Sequence, residues 1–192
     1  MFINHKILKR LMQKAYKANG LYMANYDGYI YLSDPFLGTW EAKIAIGCVP
    51  KSILATMVEC SGRLPEEDEG WTSDTEKDQM EACRRYTEPV RIGTAKITPL
   101  YMTNPGGIVY RIVQAPDNHV VCVNQELLNA IDPRSIDTHN EETMIEGPFF
   151  GEENVIFAKT DEATWVIRGG YPPRTEMIRS ILEQTDLSFD EE

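Results

Sequence analysis

The sequence is poor in basic residues and has no long apolar run. Of its 192 residues, 19 are Lys or Arg and 30 are Asp or Glu, so the formal net charge at pH 7 is -11. A surface of this sign repels nucleic acid and anionic membranes and attracts proteins that carry basic grooves. No stretch approaches the roughly 20 apolar residues that span a bilayer, and the N-terminal residues have no signal-peptide pattern. We therefore expect a cytoplasmic protein without membrane contact.

Cysteine is scarce and follows no metal-binding pattern. Cys48, Cys60, Cys83 and Cys122 include no CxxC pair. This spacing favours reduced thiols over disulfides or a zinc site.

Motifs of catalysis and of cofactor binding are also missing. The sequence has no GxGxxG, GKS or GKT, no HExxH and no GxSxG, so we expect no enzyme, cofactor or metal. His119 lies in a hairpin turn and is expected to be solvated. One alternative stays open, an enzyme whose site is assembled from distant polar residues such as Glu41, His119, Asp132 and His139.

Apolar periodicity and turn residues predict an α+β fold with an antiparallel sheet built from hairpins. An amphipathic N-terminal helix ends at Asn19-Gly20. The segment LYMANYDGYIYL reads as a hairpin around Asp27-Gly28, and TWEAKIAI as a third strand. A second helix, VPKSILATMVECSG, has Pro50 near its first turn and stops at Gly62.

The second half of the chain repeats this alternation of hairpins and helices. GGIVYRIVQ and VVCV form a hairpin, NQELLNAID a short helix, NVIFAKT and ATWVIRGG another hairpin, and RTEMIRSILEQ a last helix. We predict a single domain over residues 1–182 followed by an acidic tail, 183–192. Alternatively, residues 1–62 and 90–182 form two similar lobes joined by the acidic segment 63–82.

The acidic segment RLPEEDEGWTSDTEKDQMEA is the strongest lead to function. Its first half is expected in an exposed loop. Carboxylates on a folded scaffold can imitate the phosphates of duplex DNA, which carries about one charge per 1.7 Å of axis. The alternative is a solvated loop that aids solubility. The candidate partner-binding residues are Glu66, Glu67, Asp68, Glu69, Asp74, Glu76 and Asp78.

The first helix is basic, in contrast to the rest of the chain. Its basic side chains could pair with the protein's own acids, hold an acidic surface of a partner, or contact a DNA backbone locally; a merely solvated face is a further interpretation. These residues are Lys6, Lys9, Arg10, Lys14 and Lys17.

The tail resembles the short peptides that dock on bacterial sliding clamps. Gln184, Leu187 and Phe189 match that pattern, whereas Thr185 departs from it, because an apolar residue usually follows the glutamine. The alternative is a helix end that tucks Leu187 and Phe189 onto the protein's own core.

The segments INHKILKRLMQKAYKANGLYMANYDGYIYLSD and WEAKIAIGCVPKSILATMVECSG resemble small bacteriophage proteins of gut Firmicutes. Acidic, motif-poor phage proteins are frequently inhibitors of host defence, and Cas9-blocking anti-CRISPR proteins are the best-known group. The resemblance implies an inhibitor in the bacterial cytoplasm whose acidic surface blocks the DNA-binding groove of a Cas9-like nuclease. Anti-CRISPR proteins share no common fold, so no residue role follows from it. The other candidate is a phage replication accessory protein that docks on a sliding clamp or on DNA.

Overall fold

The computed structural model describes residues 3–18, 20–34, 40–45, 48–72, 89–131, 145–171 and 175–187. Within these residues, antiparallel strands form an eight-stranded sheet and a three-stranded sheet, and helices accompany both. The α+β fold with an antiparallel sheet is therefore confirmed.

The N-terminal helix, α1 (His5–Lys17), begins after a capping residue, Asn4. The side-chain oxygen of Asn4 accepts hydrogen bonds from the backbone N–H groups of Lys6 and Ile7, which otherwise have no partner in the first turn. The helix buries its apolar face and ends at Ala18.

The first hairpin joins β1 (Tyr22–Tyr26) and β2 (Tyr29–Asp34), and β3 (Trp40–Ala45) pairs with β2. Asp27 and Gly28 both have positive φ, 50° and 77°, as a tight two-residue hairpin turn requires. The predicted hairpin and third strand are confirmed.

Helix α2 (Lys51–Ser61) packs against α1 and ends at Gly62, whose φ of 83° is left-handed. The predicted stop is confirmed, and Pro50 is the cap residue. A strand follows that the sequence did not predict: β4 (Glu69–Thr72) lies inside the acidic segment and pairs with β1.

The second half supplies seven strands and two helices to the described structure. The hairpins of β7 (Val109–Gln114) with β8 (Val120–Asn124), and of β10 (Val155–Lys159) with β11 (Ala163–Arg168), were predicted and are confirmed. So are the short helix α3 (Gln125–Leu128) and the last helix. The remaining elements are β5 (Arg91–Thr94), β6 (Lys96–Thr103), β9 (Glu146–Gly151), a 3-10 turn (Glu152–Asn154) and α4 (Glu176–Leu182).

Strands from both halves share the large sheet. Its order is β4-β1-β2-β3-β11-β10-β9-β5, and the smaller sheet is β6-β7-β8. The two halves meet where β3 pairs with β11, with Ile44 opposite Ala163. One sheet thus continues across both segments that were considered as lobes, while the division into domains stays a prediction.

One apolar cluster joins most elements of the fold. Leu11 of α1, Met57 of α2, Val121 of β8 and Trp165 of β11 are all buried in it. Among the described cysteines, the thiols of Cys48, Cys60 and Cys122 are free. Across the described ranges, we find no helix with the length and apolar content needed to cross a membrane.

Candidate functional site

Several chain turns meet at one end of the large sheet. The first residue of β4 lies opposite the end of β1, and the β1–β2 turn is next to it. The last residues of β3 lie beside the starts of β2 and β11. The β10–β11 turn and the start of β9 complete the row. The register of the sheet therefore aligns segments that are far apart in the sequence.

This end of the sheet is rich in carboxylates, and we call it the acidic sheet end. The acids lie in the loop before β4, in the β1–β2 turn, in the β10–β11 turn and at the start of β9. Six of these acids are exposed: Glu66, Glu67, Asp68, Asp27, Asp161 and Glu146. The seventh, Glu162, is half-buried.

The acidic sheet end is long enough to imitate part of a nucleic-acid strand. From β4 to β9 there are six strand spacings of about 4.8 Å each, or about 29 Å in total. At about 3.4 Å per phosphate, one DNA strand places eight or nine charges over the same length. β-Sheets generally have a right-handed twist, and a row of residues along their strand ends follows it.

One basic residue within the row is itself paired. Lys159, at the end of β10, places its Nζ 3.3 Å from Oε2 of Glu146, and both side chains are exposed. Exposed ion pairs of this kind exchange readily with water and with other partners. The positive charge therefore partly offsets the acids at the β9 end of the row.

Glu69 holds the acidic loop in shape. Its carboxylate accepts two hydrogen bonds from the Arg63 guanidinium, at 2.7 and 2.5 Å, and one from the Glu66 backbone N–H at 2.8 Å. The hydrogen bonds from Arg63, then the one from Glu66, lower the pKa of Glu69. Of the four consecutive acids, three remain for a partner: Glu66, Glu67 and Asp68.

A buried amide anchors the same loop to the sheet. The Nδ2 of Asn25, in β1, donates to the Pro65 carbonyl at 3.2 Å, and Asn25 is only 9% exposed. Asp68 takes a φ of 60°, a left-handed conformation that Asp and Asn tolerate better than most residues. The loop is thus fixed at both ends before any partner binds. The remaining predicted acids, Asp74, Glu76 and Asp78, lie outside the described residues.

The basic face of α1 is largely engaged by the protein's own acids. The Glu126 carboxylate contacts Arg10 at 3.2 Å and Lys14 at 3.0 Å, and Glu59 lies 3.8 Å from Lys9. Of the alternatives for this helix, these contacts favour intramolecular pairing.

Two residues of the basic face remain available. Lys6 and Lys17 are exposed, and neither forms an ion pair with another residue in the described part of the chain. Two lysines at opposite ends of the helix offer a smaller contact to DNA than the five basic residues that the sequence suggested.

The predicted clamp-type peptide is not displayed as a whole. Leu187 is 7% exposed and packs with Ile112, Val120 and Cys122 of the small sheet. Gln184 is exposed, and Phe189 lies outside the described residues. For Leu187 the structure agrees with the alternative, in which the tail tucks onto the protein's own core.

His119 is not the solvated turn residue that the sequence suggested. Its Nδ1 lies 3.1 Å from the Glu183 carboxylate, and its Nε2 lies 2.6 Å from the Tyr171 hydroxyl and 3.0 Å from Oδ1 of Asn154. Arg179 donates to the same Glu183 oxygen at 2.8 Å. The network joins α4 to the turn before β8 and to the residue before β10.

The polar groups of the His119 network contact one another, and this arrangement fits a structural role. The hydrogen bond from Arg179 is the main cause that lowers the pKa of Glu183, and burial raises the pKa of Tyr171. Both ring nitrogens of His119 already contact groups of the chain. Of the other residues considered for an assembled active site, Asp132 and His139 lie outside the described residues, and for Glu41 only the backbone is described.

Metal binding receives no support from the geometry. Within the residues that the structure describes, no group of three or more His, Cys, Asp and Glu side chains could hold a metal ion. The carboxylates of the acidic sheet end lie in a row along the strand ends.

Comparison with known proteins adds no family to these observations. No protein-family model matches the chain, and no curated protein matches it either.

Proposed function

We propose that this chain is a non-enzymatic binding protein whose acidic sheet end enters a basic groove of a nucleic-acid-handling protein. The alignment of carboxylates from four separate chain segments along one end of the large sheet is the observation that carries this proposal. A Cas9-like nuclease in a bacterial cytoplasm is the candidate target, because its DNA-binding channel is positively charged.

Two physical features support binding through charge. The net charge of -11 attracts a basic surface from a distance and speeds association. The loop of Glu66, Glu67 and Asp68 is already held by Arg63, Glu69 and Asn25, so little conformational entropy is lost when it docks. Carboxylates that become desolvated against arginines would carry most of the affinity, and those at the rim would contribute little.

A pull-down from bacterial lysate tests the proposal. The bait is compared with a triple variant that lacks the loop charges, Glu66→Gln, Glu67→Gln and Asp68→Asn, at low and at high salt. Glu69 is left unchanged because it shapes the loop. We expect the wild-type bait to recover a nucleic-acid-binding protein at low salt, and expect both high salt and the triple variant to remove it.

A matched control separates position from net charge. Asp117→Asn, Glu152→Gln and Glu176→Gln remove the same number of charges from exposed acids outside the acidic sheet end. This control bait should retain the partner. Equal loss in both triple variants would show that only total charge matters, and recovery that is insensitive to salt would contradict the proposal.

The candidate target has a direct assay. Purified protein is added to a Cas9-like nuclease loaded with guide RNA, and cleavage of matched DNA is followed. Inhibition by the wild type that weakens in the loop variant supports the Cas9-like target. Unaffected cleavage, together with a different protein in the pull-down, would replace that target while leaving the binding mode intact.

A further inference from the structure

The outer face of the small sheet holds the end of the described chain in a groove. After α4, residues Glu183 to Leu187 run across β7 and β8, and Leu187 is buried against Ile112 and Val120. Residues 186 and 187 are neither helix nor strand. The N–H groups of Gln184 and Thr185 still donate to carbonyls of α4, so side-chain contacts of the sheet determine where residues 186 and 187 lie.

A buried glutamine binds the backbone of the segment. Gln114 is fully buried, its Nε2 donates to the Thr185 carbonyl at 2.8 Å, and its Oε1 accepts from the Leu187 N–H at 2.8 Å. The donor and the acceptor of the Gln114 amide therefore both bind main-chain groups, one on each side of Asp186. A fully buried polar side chain is rare unless it has such partners, and this one recognises a peptide backbone whatever its side chains.

Two further contacts select the side chains. The Lys96 Nζ lies 2.7 Å from the Asp186 carboxylate, and the apolar floor of the groove accepts Leu187. At the other end of the segment, the Val120 N–H donates to the Glu183 carboxylate at 3.3 Å. The groove thus selects an acidic residue followed by leucine, as in Asp186-Leu187. It also contacts a second acid three residues before that pair, Glu183.

We propose that this groove is a peptide-recognition site, that residues 183–187 are its intramolecular ligand, and that a peptide of a partner protein with an acidic residue followed by leucine takes their place. The tail then acts as an autoinhibitory segment. The proposal does not depend on the proposed function, because the groove lies on the small sheet and the acidic row at one end of the large sheet.

The protein's own tail lowers the apparent affinity for such a partner, because the tail competes for the groove. A tethered ligand competes at an effective concentration that reaches the millimolar range, and the apparent affinity for a second ligand falls in proportion to the fraction of molecules with an open groove. Weakening the tail should therefore tighten the binding of an added peptide, which is the reverse of the usual effect of a mutation near a binding site.

Fluorescence anisotropy with the peptide EQTDLSF, a copy of residues 183–189, tests this proposal on the full-length chain. We expect Leu187→Ala to bind the labelled peptide at least about tenfold more tightly than the wild type, because the groove is open in a larger fraction of molecules. The peptide EQTDASF, which lacks the leucine, should bind neither protein. Equal affinity of the two proteins, or no binding to Leu187→Ala, would overturn the proposal.

A pair of charge variants localises the peptide to the groove. In the Leu187→Ala background, Lys96→Glu should weaken peptide binding at least about fivefold, since it places a repulsive charge beside the peptide's Asp. Lys159→Glu makes the same charge change at the acidic sheet end and should leave binding unchanged. Equal effects of the two would show non-specific charge attraction and refute the groove as the site.

Two outcomes concerning fold and assembly are also decisive. If Leu187→Ala does not fold, Asp186→Lys is used in its place. Asp186 is exposed, and this substitution reverses the charge beside Lys96, so it should give the same gain in peptide affinity. Light scattering should find no dimer of the wild type. A dimer that dissociates on addition of EQTDLSF would show that tails exchange between copies, and the partner-peptide proposal would then be wrong.

Discussion

The substitution Gln114→Leu should detach the end of the chain from the small sheet while the rest of the fold stays intact. The glutamine side chain makes two hydrogen bonds of 2.8 Å to Thr185 and Leu187 and a long one of 3.4 Å to the Asn118 carbonyl. Leucine has a similar volume and makes none of them. The Leu187 N–H would then lose its acceptor at a position that is almost fully buried.

The magnitude follows from these contacts. Each of the two short hydrogen bonds contributes about 1 kcal/mol, and the long one contributes little. The free energy of opening the tail should therefore fall by about 2 kcal/mol, which is about a 30-fold increase in the open population. The loss in global stability should not exceed the docking free energy of the tail, since an unsatisfied N–H can return to water once the tail leaves.

Hydrogen exchange measured residue by residue distinguishes local from global effects. We expect the Leu187 amide to exchange about 30-fold faster in Gln114→Leu, with little change at Val166 in the central strand β11. Gln125→Leu is the matched control: its amide bonds to Arg111 and Asn129, away from the tail, so Leu187 should exchange as in the wild type. Less than about a threefold change at Leu187, or an equal change at Val166, would refute the reasoning.

Three further predictions concern the stability of the folded protein. Gly169→Ala should lower the melting temperature and cost about 1–3 kcal/mol, because a Cβ there would lie 2.7 and 2.8 Å from two side-chain atoms of Val121; an unchanged melting temperature would contradict the close packing. Asn4→Ala should cost about 1 kcal/mol in urea unfolding by removing the cap of α1, whereas Asn4→Asp should cost less. Because the pKa of Glu183 is lowered in the folded state, chiefly by Arg179, its contribution to stability is present above its ordinary pKa and lost as the pH falls through the lowered one. In Glu183→Gln, the free energy of unfolding should therefore decrease less as the pH is lowered. An unchanged decrease would argue against the ion pair of Glu183 with Arg179.

Local signals explain the parts of the fold that the sequence predicted. Asp27-Gly28 and Gly62 occupy the positive-φ positions that turn and helix-stop chemistry require, and the Asn4 and Asn124 side chains cap α1 and α3. These features depend on neighbours in the sequence, so they could be read without knowledge of the tertiary structure.

The strands that were missed carry residues that weaken the usual strand pattern. Pro99 lies in β6 at an edge of the small sheet, Pro148 lies in β9, and β4 begins with Glu69-Gly70 inside an acidic segment. Proline in particular marks an edge or irregular strand. Tertiary pairing outweighs the weak local preference in each of these strands.

The composition of the candidate site could be predicted only in part. The acidic loop was visible as a run of charge, but its alignment with Asp27 depends on the pairing of β4 with β1, and its alignment with Glu162 depends on the pairing of β3 with β11. The His119 network joins residues 52 and 35 positions apart in the sequence. No spacing rule relates such residues, because only the folded register brings them together.

The most direct test of the proposed function is the salt dependence of association between this protein and its target, beginning with a Cas9-like nuclease. Association rates of the wild type, the loop variant (Glu66→Gln, Glu67→Gln and Asp68→Asn) and the matched control variant are measured from low to high ionic strength. We predict that the rate of the wild type falls steeply with salt, that the loop variant starts lower and falls less, and that the control follows the wild type more closely. Identical salt slopes for the two triple variants would contradict a role for the acidic sheet end.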